Sequence, residues 1–209
     1  MDILNCPAKK IRFQHKIKGS KFIASLAPAI NLEEAEEFLN RIKKEFWDAT
    51  HNVYAYKIGY GKNLVEKAND DGEPSGSSGP PVLQAINGSG LTNTIIVVTR
   101  YFGGTKLGIG GLIRAYGDTA ALALEKVPKK ELKLMVNLVV KVPYDGIGNI
   151  TGFLEKEKIE IEKINYDNVG GLIFFWVEPK FMDFLKPRFQ ELSRGECTTE
   201  ILEKVYRDC

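Results

Sequence analysis

The chain has little from which to build a disulfide framework or a cysteine-based metal site. Its three cysteines, Cys6, Cys197 and Cys209, are odd in number and widely spaced, so neither a cystine scaffold nor a zinc motif can be written from them. A reducing, cytosolic setting fits best. Long apolar runs are missing too: the longest, Leu172 to Val177, is strand-sized, far short of the roughly 18 or more residues of a membrane span. Lys9, Lys10 and Arg12 stand where a secretory signal needs its apolar stretch, and no membrane partner is expected. A charge excess is also lacking. With 29 basic and 27 acidic residues the net charge is +2, so bulk charge does not by itself argue for a nucleic-acid partner.

What is present is globular in proportion. The 209 residues are 44% hydrophobic and 27% charged, enough to bury a core in one or two domains without covalent staples. Charge is distributed unevenly. Between Lys9 and Lys21 five lysines and Arg12 meet no acid, whereas Glu66, Asp70, Asp71 and Glu73 face only Lys67 over the span 66–73.

Ile11, Phe13, Phe22, Ile23 and Leu26 predict two short strands around the turn Lys18-Gly19-Ser20-Lys21. Asn31 caps a helix whose apolar positions Ala35, Phe38, Leu39, Ile42 and Phe46 recur at helical spacing. Val53 to Ile58 alternates as a strand, Gly59 to Asn63 turns, and Asp70 to Pro81 is a polar loop ending where Pro80-Pro81 opens a short helix. The β-branched run Thr94 to Thr99 reads as a strand buried on both faces. A glycine-rich loop and a helix from about Gly110 to Lys126 follow.

After Pro128 the pattern restarts, which divides the chain into domains 1–128 and 129–209. Strands at Leu134 to Val142, Ile159 to Tyr166, Leu172 to Val177 and Thr199 to Tyr206 alternate with helices at Gly146 to Lys158 and Phe181 to Arg194. This is β-α-β-β-α-β, the pattern of a ferredoxin-like sandwich, and the fold class is α+β. Phe174, Phe175 and Trp176 are read as packing residues because adjacent strand residues point to opposite faces.

The informative segment is Arg100-Tyr101-Phe102-Gly103-Gly104-Thr105-Lys106-Leu107-Gly108-Ile109-Gly110-Gly111-Leu112-Ile113-Arg114. It fails as a P-loop, since Ile109 and Gly110 occupy the places of Lys and Ser/Thr. It fails as a dinucleotide fingerprint, since Ile113 falls where a third small residue belongs. What survives is an anion site in outline. Glycines after a strand expose backbone N–H groups, the next helix aims its positive end at the same place, and Arg100, Lys106 and Arg114 could supply charge to a phosphate. The alternative is a tight strand-to-helix crossing in which Arg114 pairs with Asp118.

A second constellation is His51 with Asp70, Asp71 and Glu73 and with Ser75, Ser77 and Ser78. Its carboxylates could hold a hard cation, or His51 could activate a serine. Against both, Asp70-Asp71-Gly72 is a turn sequence in its own right, and no Gly-x-Ser-x-Gly elbow exists. No catalytic residue, metal or cofactor is assigned.

Four blocks, in order, resemble those of the YigZ/IMPACT family: Lys18-Gly19-Ser20-Lys21-Phe22-Ile23-Ala24, Asp48-Ala49-Thr50-His51-Asn52-Val53-Tyr54-Ala55, Asp70-Asp71-Gly72-Glu73-Pro74-Ser75-Gly76, and Arg100-Tyr101-Phe102-Gly103-Gly104 with Leu107-Gly108, Gly110-Gly111 and Arg114-Ala115-Tyr116. Ser77-Ser78 and Pro80 depart from that pattern, which has Thr-Ala and a basic residue there. The resemblance implies an N-terminal domain like the second domain of a small-subunit ribosomal protein and a C-terminal domain like the ferredoxin-like fifth domain of elongation factor G. It also implies a translation-regulating protein of the cytosol, with RNA, the ribosome or a protein of translation control as partner. The expected phosphate-binding residues are Arg100, Gly103, Gly104, Lys106, Gly108, Gly110, Gly111, Arg114, Lys18 and Lys21. The rival expectation is an enzyme or binder of a small phosphorylated ligand, with or without a metal, built on His51, Asp70, Asp71 and Glu73. Convergence of those residues and Arg100 on one concave pocket favours the rival; basic residues on an open face favour RNA.

Overall fold

Thr94–Tyr101 forms the central strand of an antiparallel sheet, and its β-branched composition follows from being covered on both sides. The computed structural model describes residues 3–208. It falls into two compact units, one spanning Leu4–Glu131 and the other beginning at Leu132.

In the first unit a short strand β1 (Ile3–Pro7) precedes β2 (Ile11–Ile17), β3 (Ser20–Pro28), helix α1 (Leu32–Glu45), β4 (His51–Ile58), β5 (Val65–Asn69), α2 (Gly79–Ser89), β6 (Thr94–Tyr101) and α3 (Ile109–Lys126). The sheet order is β2-β3-β6-β4-β5. On one face Ile95 and Val97 of β6 pack with Ala35, Phe38 and Ile42 of α1. On the other, Ile96 and Val98 pack with Val82 and Ile86 of α2 and with Leu112, Ala115 and Tyr116 of α3. The period-2 alternation of β6 thus feeds two separate cores.

Local signals start and stop the helices as expected. Asn31 Oδ1 accepts from the Glu34 N–H at 2.8 Å, while the Glu34 carboxylate accepts from Ile30 N–H at 2.9 Å, a reciprocal cap on α1. Pro80 and Pro81 occupy the first turn of α2, and Gly90 ends that helix at φ 72°. Two strands were not legible. β1 is only five residues long, and β5 carries almost wholly exposed side chains. β5 forms by backbone pairing of Val65–Asn69 with Tyr54–Ile58 at the sheet edge, which leaves no hydrophobic alternation to read.

The second unit contains β7 (Lys129–Pro143), α4 (Ile147–Lys156), β8 (Ile161–Tyr166), β9 (Gly170–Val177), α5 (Met182–Leu192) and β10 (Thr198–Arg207). β7 pairs with β9 and β10, and β9 with β8, all antiparallel. The arrangement is consistent with the ferredoxin-like β-α-β-β-α-β pattern. Val140, Ile173 and Phe175 pack against Ile150 and Leu154 of α4 and Leu185 and Phe189 of α5. Phe175 is buried, while its neighbour Trp176 lies on the other face, donates to Glu162 at 3.0 Å and sits 4.2 Å from the Arg207 guanidinium.

Candidate functional site

The register of β6 assembles the site. Arg100 stands opposite Phe22 of β3 on one side and His51 of β4 on the other, so the three form a cross-strand row on the sheet face that α3 covers.

The loop after β5 crosses this row, and its acids shape it. Asp70 Oδ1 accepts from Ser78 Oγ at 2.6 Å, Gly79 N at 2.8 Å and Ser78 N at 2.9 Å, and its Oδ2 accepts from Gly76 N at 2.8 Å. One carboxylate thereby closes the loop and satisfies the free N–H groups that open α2. Burial raises the Asp70 pKa, but the hydrogen bonds from Ser78, Gly76 and Gly79 outweigh it and hold the group below its ordinary value. Asp71 accepts from Asn52 N and from Lys43 Nζ, both at 2.7 Å. Its carbonyl lies 2.8 Å from His51 Nδ1. A carbonyl cannot donate, so Nδ1 carries the hydrogen of this contact.

These turns deliver Glu73 into the interior. It is 8% exposed, and its Oε1 accepts from Arg100 Nη1 at 2.6 Å and from Tyr116 OH at 2.7 Å, with His51 Nε2 3.9 Å away. Arg100 is 6% exposed, with its guanidinium 5.6 Å from the Phe22 ring centre and 5.5 Å from that of Phe102. Burial, and then the bond to Glu73, push the Tyr116 phenol far above its usual range, so it remains a donor. This is a buried ion pair with a third polar member.

Above the row lies a cleft of about 320 Å³, with Glu73, His51 and Arg100 among apolar neighbours that include Phe102, Leu107 and Leu112. Lys106 and Gly108 also line it. The glycine loop is held at this place by backbone proximity. A Cβ on Gly103 would lie 1.9 Å from the Gly19 carbonyl carbon, and Gly103 N donates to Ser20 Oγ at 3.2 Å. Only glycine permits that approach. Gly108, at φ 69°, turns the chain into α3, whose first turn contains Gly110 and Gly111; Gly104 has φ 85°.

The structure thus brings His51, Glu73, Arg100, Lys106 and Gly108 together in one cleft. Asp70 and Asp71 are instead occupied with loop hydrogen bonds, and among the described residues no cluster of His, Cys, Asp and Glu is arranged to hold a metal. Ser77 and Ser78 donate to Pro74 O and to Asp70, not to His51. Arg100 is not on the open surface, where an approaching phosphate would meet it first. Lys18, Lys106 and Arg114 are exposed, and among the described residues they form no ion pair; the contact between Arg114 and Asp118 is not made. Lys21 lies 5.2 Å from the Tyr101 ring centre and directly opposite Lys16. Sequence reasoning assigned no role to Tyr116 or Leu107, and read Phe102, with Tyr101 and the glycines, as an alternative protein-docking surface, where the structure puts it in the cleft lining. For Tyr116 the available signal was its place on the apolar stripe Leu112, Ala115, Tyr116 and Thr119 of α3.

Residues 18–124 match the Impact N-terminal domain family. The chain is 40% identical over 191 residues to IMPACT family member YvyE of Bacillus subtilis, covering 91% of this chain and 87% of that protein. To the Haemophilus influenzae IMPACT family member it is 33% identical over 199 residues, covering 94% and 96%. Protein IMPACT of Rattus norvegicus is 32% identical over 96 residues, 44% of this chain and 29% of the rat protein. A solved structure described as that of an hypothetical protein superposes with a TM-score of 0.70 at 28% identity, covering 97% of this chain and 98% of that one. The matched span contains the cross-strand row, the Asp70 loop and the glycine loop alike, and the chain belongs to the YigZ/IMPACT family.

Proposed function

We propose that this protein acts in translation control by binding RNA, on the ribosome or free, through the face where the Lys18-Gly19 hairpin tip meets the glycine loop, without catalysing a reaction. The link to translation rests on family membership. In that reading the two units are counterparts of the second domain of a small-subunit ribosomal protein and of elongation factor G domain V, and the protein works in the cytosol. The observation that carries the RNA assignment is the set of unpaired cations at this face. Lys18, Lys106 and Arg114 have no acidic partner among the described residues, and at the hairpin end, on the sheet face opposite Phe22 and Arg100, Lys16 and Lys21 stand directly opposite each other across β2 and β3. Like charges so placed repel each other, and a phosphate backbone shared between them relieves the repulsion. Exposed Phe102 on the glycine loop offers a stacking surface.

The test is a titration against mixed-sequence RNA and ribosomal subunits from low to physiological salt, with wild type and with Lys18→Ala, Lys106→Ala and Arg114→Ala combined. Binding should weaken with salt, and the folded triple variant should show a salt slope shallower by about two to three. No wild-type binding at low salt would overturn the reading.

A second reading has its own observation: His51, Glu73 and Arg100 share one concave cleft, as a small phosphorylated ligand would require. On that reading the cleft binds such a ligand on its own, with Lys106 for the phosphate. A test is saturable binding of a phosphorylated small molecule that RNA does not displace.

A further inference from the structure

Helix α5 is apolar on more than the side it buries. Leu185 and Phe189 enter the core of the second unit, whereas Phe181, just before the helix, and Phe184, in its first turn, remain 42% and 47% exposed. With Met135, Ile159, Trp176 and Leu185 they line a cleft of about 260 Å³. Met135 and Trp176 also line a second cleft, of about 390 Å³, together with Glu162, Arg207 and Asp208, so the two adjoin. Exposed apolar rings gathered at one cleft mark an interaction surface, as singly scattered ones do not.

The rim is acidic. Glu157, Glu160 and Glu162 line these clefts and are exposed, and none of them makes an ion pair among the described residues. Glu178 is engaged by Lys180 at 2.9 Å and by Lys133 at 3.9 Å. Among the described residues Lys158 is the one cation lining the first cleft, and Arg207, lining the second, lies 4.2 Å from the Trp176 ring centre. Carboxylates so placed repel a phosphate backbone and attract cations. Arg207 also shows, within the chain, how this face takes a guanidinium: over an indole whose N–H donates to Glu162 at 3.0 Å.

We infer that the second unit docks a basic polypeptide segment. An apolar side chain of that segment sits among Phe181, Phe184 and Trp176, and lysines or arginines on either side of it meet Glu157, Glu160 and Glu162. Charge selects such a segment over an RNA, and the apolar cleft selects it over a polyamine, which has no side chain to bury. The site lies wholly within the second unit and does not depend on the RNA reading of the first.

The chain has two tryptophans, and Trp47 is 83% exposed, so Trp47→Phe leaves Trp176 as the fluorescent reporter of the cleft. The full chain in that form is titrated with three short synthetic peptides: a Leu-Leu-Phe core flanked by lysines and arginines, the same core flanked by glutamates, and the basic flanks around a glycine-serine core. Trp176 emission should change saturably with the first, which should bind about tenfold or more tighter than either of the others. Its binding should weaken as salt rises. Phe181→Ala should weaken it about fivefold or more. Glu157→Gln with Glu160→Gln should flatten the salt dependence and narrow the gap between the basic and acidic peptides. All three side chains are exposed, so these changes leave the core intact. Equal binding of the basic and acidic peptides, or of the basic peptides with and without the apolar core, would overturn the inference, as would an unchanged Trp176 emission with all of them. A change produced instead by mixed-sequence RNA, or by raising the concentration of the chain alone, would give the cleft to RNA or to a second copy and equally overturn it.

Discussion

Glu73 and Arg100 depend on each other for burial. A guanidinium inside a protein is tolerated only when paired, so Glu73→Ala should cost about 3–5 kcal/mol by leaving Arg100 uncompensated. Tyr116→Phe removes one hydrogen bond to the same carboxylate and should cost about 1.5–3 kcal/mol. Hydrogen exchange of the β6 amides, next to the pair, reads both; equal and negligible effects would show that the pair does not support the sheet. Asp70 carries a pH prediction. Its pKa is depressed in the fold, so the stability it contributes is present above the unfolded pKa of about 3.9 and is lost as pH falls through the lower folded value. Acid titration should loosen the Gly76 and Gly79 amides in that range. In Asp70→Asn the same amides should exchange faster at neutral pH and lose most of the acid dependence. An unchanged acid profile in Asp70→Asn would assign the transition to another group.

At the scale of elements, what could be read from sequence and what could not divide along a physical line. The cap at Asn31, the prolines opening α2 and the β-branched β6 are local signals, and each corresponds to an observed element. β5 escaped because an edge strand held by backbone bonds needs no hydrophobic pattern. The cross-strand row of Phe22, Arg100 and His51 escaped for a different reason: it depends on register between strands far apart in the chain, which no single-sequence periodicity encodes. Residue types pointed to His51, Glu73 and Arg100 as candidates, but the Glu73–Arg100 pair and the supporting roles of Asp70 and Asp71 required the fold. The hairpin and the glycine loop make the sharpest prediction for elements. Gly103→Ala forces a Cβ into the Gly19 backbone and should destabilise by about 1–3 kcal/mol or more, while loosening Lys18 and Lys21 relative to Lys106. Gly110→Ala meets no atom within 4 Å and should be neutral or stabilising by about 0.4–1 kcal/mol. Thermal denaturation of the two variants compares them, and equal melting temperatures would refute the backbone-contact argument.

At the scale of the whole molecule, the β-α-β-β-α-β order of the second unit was legible chiefly because β7, β9, α4 and α5 send periodic apolar residues into one core. With a net charge of +2, the proposed RNA binding depends on the cations without an acidic partner among the described residues, Lys18, Lys106 and Arg114, while other cations are neutralised locally, as Arg12 is by Glu45 and Lys43 by Asp71. The most direct measurement is amide chemical-shift mapping of the full ¹⁵N-labelled chain with a short single-stranded RNA. Binding at the proposed face should shift the amides of Lys18 to Lys21, Phe102 to Gly111 and the Asp71 to Glu73 turn, at low salt and reversibly on adding salt. Shifts confined to other parts of the chain, or none at any RNA concentration, would contradict it.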